Sequence, residues 1–331
     1  VDMQHASAVE QVSVLVRSMD RATLGRTLDS IAAQTWPSVE IVVAAACGHA
    51  HRPLPDHHRG RPLRLVRAEA DGVLPRPVAA NLCLGAACGE WLNFLDDDDE
   101  FLPGHLETLL RAPRASGERV VYSRTRVVDP AGATIGHCGF AGFHAQLYYQ
   151  SRSTPAGTLF HRSLVDEGAR FDEQFDLIED HDFFVNLATR TAFRFVDEVT
   201  GIWHAHAGES GAGFGHNYTP ERLEPYYAKL REKWKDAFAD WTSRPEALLF
   251  LGQHALRSGD GERAIEHLER ALRLAPNDIN ALNLCGMANY KTGRLERAEA
   301  LFLNASRMLP SHAGIAENLA MVRAARKAAR K

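Results

Sequence analysis

Trp91-Leu92-Asn93-Phe94-Leu95-Asp96-Asp97-Asp98-Asp99 is a mainly apolar run that discharges into four consecutive carboxylates. The apolar part has the length of a buried strand. In parallel α/β folds ligands bind at the carboxyl ends of strands, so this segment sets negative charge at a ligand site. Four like charges repel one another, and a divalent cation among them removes the repulsion. Hard carboxylate oxygens suit Mg2+ or Mn2+. An acidic run on its own is usually a solvated turn, so the surroundings have to decide.

Upstream, strands and helices alternate. Val12–Val16 is a short β-branched run, and Leu24, Leu28, Ile31 and Ala32 recur at helical spacing within Thr23–Thr35. Trp36-Pro37 closes that helix, Val39–Ala44 and Leu63–Arg67 are strand-like, and Val78–Cys88 and Pro103–Leu110 are helical. This order predicts a mainly parallel sheet with both faces covered. The loop between Gly48 and Pro62 carries His49, His51, His57 and His58, interrupted by Pro and Arg. It is expected to be a solvated loop and not a metal site.

The last third is a repeat. Gly252 recurs as Gly286, Ala264 as Ala298, Ala271 as Ala305 and Pro276 as Pro310, each at an offset of 34 residues. That period, with two helical patterns per unit, resembles the tetratricopeptide repeat. The units run over 245–278 and 279–312, with a capping helix over 313–331. So few units imply packing against the preceding domain or continuation of the chain. Such arrays bind protein partners or self-associate; a purely structural appendage is the alternative. The basic residues near the C-terminus read as the solvated face and favourable C-terminal charge of the last helix, with contact to an acidic surface or lipid headgroups as the alternative.

The first two-thirds resembles glycosyltransferase family 2. Val12–Arg21 resembles the family's opening strand and loop, and Leu28–Pro37 its first helix with a Gln-Thr-aromatic-Pro ending. Gly89–Asp99 is similar to its Gly-Glu-aromatic strand and D-x-D motif. Glu179-Asp180 resembles its acceptor motif, and His204-Ala205-His206 its late histidine. The resemblance covers roughly residues 10 to 215. It implies an α/β GT-A fold over 1–240, followed by an all-α tetratricopeptide domain over 241–331. It further implies an inverting, divalent-metal-dependent enzyme. A sugar would move from a nucleotide-diphosphate donor to a glycan, lipid-linked or protein acceptor.

The same resemblance assigns roles. Asp180 is the catalytic base. Asp98, Asp96 and His206 hold the Mn2+ or Mg2+, with His204 as the fallback, and Ser18, Asp20, Asn81, Asp96 and Asp97 contact the donor. Gly208–Gly215 reads as a lid over the donor. Two departures stand out. Ala44-Ala45-Ala46-Cys47-Gly48 follows the second strand where the family carries acids that hold the nucleotide base, and Ala80 replaces the arginine before Asn81. Base recognition then falls to Asp20, Arg17 or backbone groups. The departures also support an alternative reading, a catalytically weakened scaffold acting through its repeats.

Composition narrows the classes. The 331 residues are 45% hydrophobic and 24% charged with net charge −4, which gives no basic excess for nucleic acid. The longest apolar run, Ile41–Cys47, is too short to span a bilayer. The N-terminus lacks signal-peptide character. Five scattered cysteines without C-x-x-C spacing point to reduced thiols. The expectation is a cytoplasmic protein, with at most peripheral contact at the inner membrane face.

Overall fold

The computed structural model describes residues 9–69, 71–115, 117–142, 144–148, 150–151, 153–205 and 219–329. The chain divides into two compact units, Val1–Gly142 with Tyr149–Lys233, and Phe143–Tyr148 with Trp234–Lys331.

In the first unit the strands are β1 Val12–Ser18, β2 Val39–Ala45, β3 His57–His58, β4 Arg61–Val66 and β5 Trp91–Asp96. After them come β6 Glu100–Phe101, β7 Val120–Val128, β8 Thr134–Cys138, β9 Thr158–His161 and β10 Phe193–His204. They form one mixed sheet in the order β3-β4-β2-β1-β5-β9-β7-β10-β6, with β8 beside β7. β4, β2, β1 and β5 are mutually parallel, and the antiparallel β9 joins them to β7. The sequence predicts this parallel core because β1, β2 and β5 are apolar at consecutive positions, the mark of strands buried on both faces.

Helices α1 Leu24–Ala32, α2 Arg76–Ala86 and α3 His105–Arg111 cover the sheet. Leu24, Leu28 and Ile31 of α1 share a core cluster with Val12, Val14 and Val16, the alternate residues of β1. On α2, the small residues Ala79, Ala80 and Cys83 are fully buried, and the Cys83 thiol reaches the backbone carbonyl of Val16 at 3.6 Å. A short helix α4 Ser163–Asp166, then α5 Glu179–Ala188 and α6 Pro220–Lys233 complete the unit.

The loop after β2 departs from expectation. His51 is buried, with Nε2 2.9 Å from the Ser18 hydroxyl, and His58 lies 2.7 Å from the Asp29 carboxylate. Two of the four histidines therefore tie the loop down.

The second unit contains α7 Lys235–Trp241, α8 Pro245–Arg257, α9 Gly261–Leu274, α10 Ile279–Lys291, α11 Leu295–Met308 and α12 Ala313–Ala329. Asp260 and Asp278 cap α9 and α10 by accepting from the backbone N–H three residues on. The recurring glycines have a steric cause: a Cβ on Gly286 would lie 2.6 Å from Phe302, and one on Gly252 would clash with Leu268. Gly286→Ala forces the Phe302 ring out of a fully buried position. It is expected to destabilise the helical unit by about 1–3 kcal/mol, which chemical denaturation followed by far-UV dichroism measures. Among the described residues no helix is long and apolar enough to cross a membrane.

Candidate active site

The site forms where β1 and β5 end side by side. Arg17 and Asp96 are direct partners in the parallel ladder, so their side chains emerge together at the carboxyl edge of the sheet. Arg17 donates from Nε to Asp96 Oδ1 and from Nη2 to Oδ2, both at 2.8 Å, and from Nη1 to Glu179 Oε1 at 2.8 Å. Burial opposes the Arg17 charge, but Asp96 and Glu179 more than compensate and hold the guanidinium protonated. Burial also opposes the Asp96 charge, and Arg17 and Arg76 outweigh it to hold that carboxyl below its usual range.

The four aspartates have separate tasks. Asp96 is the ion-pair partner just described. Asp97 is fully buried and organises the loop after β1. It accepts from the backbone N–H of Met19 at 2.8 Å, from the Ser18 hydroxyl at 3.1 Å and from the Arg21 guanidinium. Asp98 is partly exposed and 3.7 Å from Arg21 Nη1. Asp99 is buried and accepts from the backbone N–H of His204 at 2.9 Å. Burial, then the charges of Asp98 and Asp96, push its carboxyl well above the ordinary value.

Asp180 stands in the first turn of α5, and the residue before that helix, Ile178, has φ +55°. A β-branched residue in the left-handed region is a true outlier, and such strain concentrates at functional sites. Here it turns the chain so that Glu179 points to Arg17 while Asp180, partly exposed, faces a cavity. Burial and the neighbouring Glu179 raise the Asp180 carboxyl to about 6, against the pull of Arg76 and Arg17.

Two cavities meet here. One, of about 380 Å³, is lined by Asp99, Phe140, Asp180, His181, Trp203 and Tyr227 among others. The second, of about 580 Å³, has apolar walls of Met19, Ala46, Val73, Leu74, Pro75 and Ala79. Both volumes suit small-molecule ligands. Arg17, Arg76, Asp96 and Asp98 line both cavities and form the wall between them.

Other expected donor contacts lie elsewhere. Ser18, Asp20, Asn81 and Asp97 line neither cavity. Asn81 donates to the Phe171 carbonyl and accepts from the Phe171 N–H, both at 3.0 Å, which fixes α2 to the 171 segment. Asp20 accepts from the Arg52 backbone N–H at 2.9 Å, with its other oxygen 3.2 Å from Arg52 Nε but outside hydrogen-bond alignment. His204 lies 2.7 Å from Glu100 Oε1. His206 and Gly208–Gly215 lie outside the described residues.

Among the described residues no group of three or more His, Cys, Asp or Glu side chains is arranged to hold a metal ion. Both Asp96 oxygens are engaged by Arg17, so Asp98 is the acidic-run carboxylate best placed for one. Mg2+ is commonly held by one or two carboxylates together with substrate phosphates and water, and Asp98 fits that mode.

Arg76 had no part in the expectations drawn from the sequence. One signal pointed to it: an arginine at the first position of a helix opposes the helix dipole unless anions are close.

An α/β unit built on a mixed sheet with a parallel core, followed by helical repeats, has the architecture of a GT-A domain with an all-α tetratricopeptide domain. Comparison with known proteins agrees. Residues 13–167 match the glycosyl transferase family 2 model and residues 235–320 the tetratricopeptide repeat model. Residues 13–167 therefore form a glycosyl transferase family 2 domain, followed by a tetratricopeptide repeat region over residues 235–320. The family 2 match ends before α5, so Asp180 lies beyond it.

An uncharacterized glycosyltransferase of Bacillus subtilis (strain 168), YwdF, is 23% identical over 188 residues, covering 54% of this chain and 68% of that protein. The succinoglycan biosynthesis protein ExoO of Rhizobium meliloti (strain 1021) is 30% identical over 133 residues, covering 38% of this chain and 36% of that protein. Among solved structures, S. aureus TarS 1-349 in complex with UDP-GlcNAc is 16% identical with a TM-score of 0.48, covering 96% of this chain and 92% of that one. A longer TarS structure is 15% identical with a TM-score of 0.47, covering 94% of this chain. This chain spans 54% of that longer TarS chain.

Proposed function

We propose that this chain is an inverting transferase that moves a sugar from a nucleotide-diphosphate donor onto a hydroxyl of a glycan, lipid-linked or protein acceptor, with a divalent cation as cofactor. The wall shared by the two cavities carries this reading. The nucleotide occupies the apolar-walled cavity, the diphosphate lies over the wall, and the acceptor enters the cavity that contains Asp180. Asp180 takes the proton of the acceptor hydroxyl as its oxygen bonds to the anomeric carbon. The bond from that carbon to the diphosphate oxygen breaks on the opposite side, which inverts the centre. Asp98 would hold the Mn2+ or Mg2+, whose Lewis acidity offsets charge on the departing diphosphate. Trp203, Tyr227 and Phe140 supply flat apolar surface on the acceptor side.

A nucleotide base has no side-chain acid to bind at Ala44–Cys47, and its cavity offers apolar contact together with the side chains of Arg21 and Asp176 instead. Asp20 is committed to Arg52, so Asp20→Ala is expected to leave the affinities for UDP, GDP and dTDP within about threefold. Titration calorimetry of the three nucleotides checks this. The repeats are proposed to dock a protein partner or a second copy of the chain.

A screen of nucleotide sugars with Mn2+, scored by thermal shift and then by transfer or slow hydrolysis, tests the whole reading. Activity that disappears in Asp98→Asn and Asp180→Asn variants with unaltered melting supports it. A protein that binds no nucleotide sugar is instead the weakened scaffold, which the alanines Ala44–Ala46 at the end of β2 favour.

A further inference from the structure

We propose that Arg76 is the residue with which this chain grips the diphosphate of its donor, turning from its present carboxylate partners onto the phosphates when the donor binds. The inference rests on the donor reading above and assigns to it a residue that neither the motifs nor the comparisons single out.

Arg17 and Arg76 share two anions, Asp96 and Glu179, on very unequal terms. Arg17 is 7% exposed and makes three bonds of 2.8 Å to them. Arg76 is 35% exposed and stands 3.4 Å from Asp96 Oδ2 and 3.4 Å from Glu179 Oε1. Both carboxylates are thus satisfied at close range without Arg76. Arg17 is a fixed part of the wall, and Arg76 is a loosely held fork on its surface.

Its position favours an anion. Arg76 begins α2, an 11-residue helix, and it faces both cavities. The helix N-terminus adds positive potential to the guanidinium. A planar guanidinium matches two phosphate oxygens at once, which a point charge does not. No arginine follows at the next turn, where Ala80 is fully buried against the sheet. A diphosphate lying across the wall would exchange two long contacts of Arg76 for short ones. Asp96 and Glu179 would lose little, because Arg17 retains them.

The ratio of nucleoside diphosphate to nucleoside monophosphate affinity isolates this role. UDP with UMP, GDP with GMP and dTDP with dTMP are titrated calorimetrically against the full chain, with and without Mn2+. For the base that binds, Arg76→Met is expected to weaken the diphosphate by about 10- to 100-fold, the range of hydrogen bonds to charged groups. The monophosphate should lose much less, so the ratio collapses. Arg76→Lys should recover part of it. If Arg76→Met folds poorly, Arg76→Gln gives the same reading.

A purely structural role would weaken both nucleotides together and leave the ratio in place, which overturns the proposal. So does a folded Arg76→Met or Arg76→Gln whose diphosphate affinity stays within threefold of wild type; in both cases the donor reading survives. A wild-type chain that binds none of the diphosphates removes the donor reading and this inference together.

Discussion

Asp180→Asn is expected to lower turnover by about 10²- to 10⁴-fold, the usual contribution of a positioned general base, with the donor's affinity changed little. The amide preserves the shape of the first turn of α5 but cannot take the acceptor's proton. The wild-type pH profile should report the same group. Its carboxyl lies at about 6, raised first by burial and then by Glu179, and only the deprotonated form is a base. Activity should therefore be on its plateau above pH 7. Below about pH 6 it should fall tenfold per pH unit, and the limb is missing from the residual activity of Asp180→Asn. An Asp180→Asn enzyme with wild-type turnover, or a wild-type profile flat down to pH 5, would remove the base from the proposed reaction. The altered electrostatics follow from Ile178. Its left-handed backbone aims Glu179 at the arginines, leaving the adjacent carboxyl with a like-charged neighbour in a half-buried place.

Much of this architecture was legible because it is local. The parallel core follows from continuous apolar runs such as Ile41–Cys47, and the helix pairs from an offset of 34 residues that sets Gly286 under Phe302. The acidic run announced a site but not its internal division of labour. In sequence the four aspartates look alike. In the fold, β5 ends at Asp96 and a turn follows, so successive side chains leave in unrelated directions. One meets Arg17, one is buried under the loop after β1, one faces both cavities, and one meets the backbone of His204. No local rule predicts those directions, because each partner comes from a distant element. Arg17 is 79 positions from Asp96 and 162 from Glu179. The donor contacts expected of Ser18, Asn81 and Asp97 rested on resemblance to a family pattern, which does not decide whether a side chain faces a cavity or the packing behind it, and none of the three lines either cavity.

Arg17→Met should be the most destabilising single change in the site. Glu179 is 3% exposed and Asp96 22%, and Arg17 supplies every bond of 2.8 Å that either receives from a guanidinium. Methionine fills part of the volume but leaves two carboxylates facing each other, with only the distant contacts of Arg76 to offset them. Breaking a buried pair from one side typically costs about 3–5 kcal/mol. At about 2–4 °C per kcal/mol for a unit of this size, melting should fall by about 6–20 °C. The sign of its pH dependence is fixed. Asp96 has a depressed carboxyl in the folded wild type, so its stabilisation is present above the unfolded carboxylate value. It is lost as pH falls through the folded one. The gap between wild type and Arg17→Met should be full at neutral pH and narrow in acid, where the orphaned carboxylates protonate. Melting scans of both proteins from pH 7.5 to pH 4 measure it. A gap of constant size would mean that Arg17 stabilises by packing alone. A negligible gap at neutral pH would mean that in the variant Arg76 moves in to hold both carboxylates in place of Arg17.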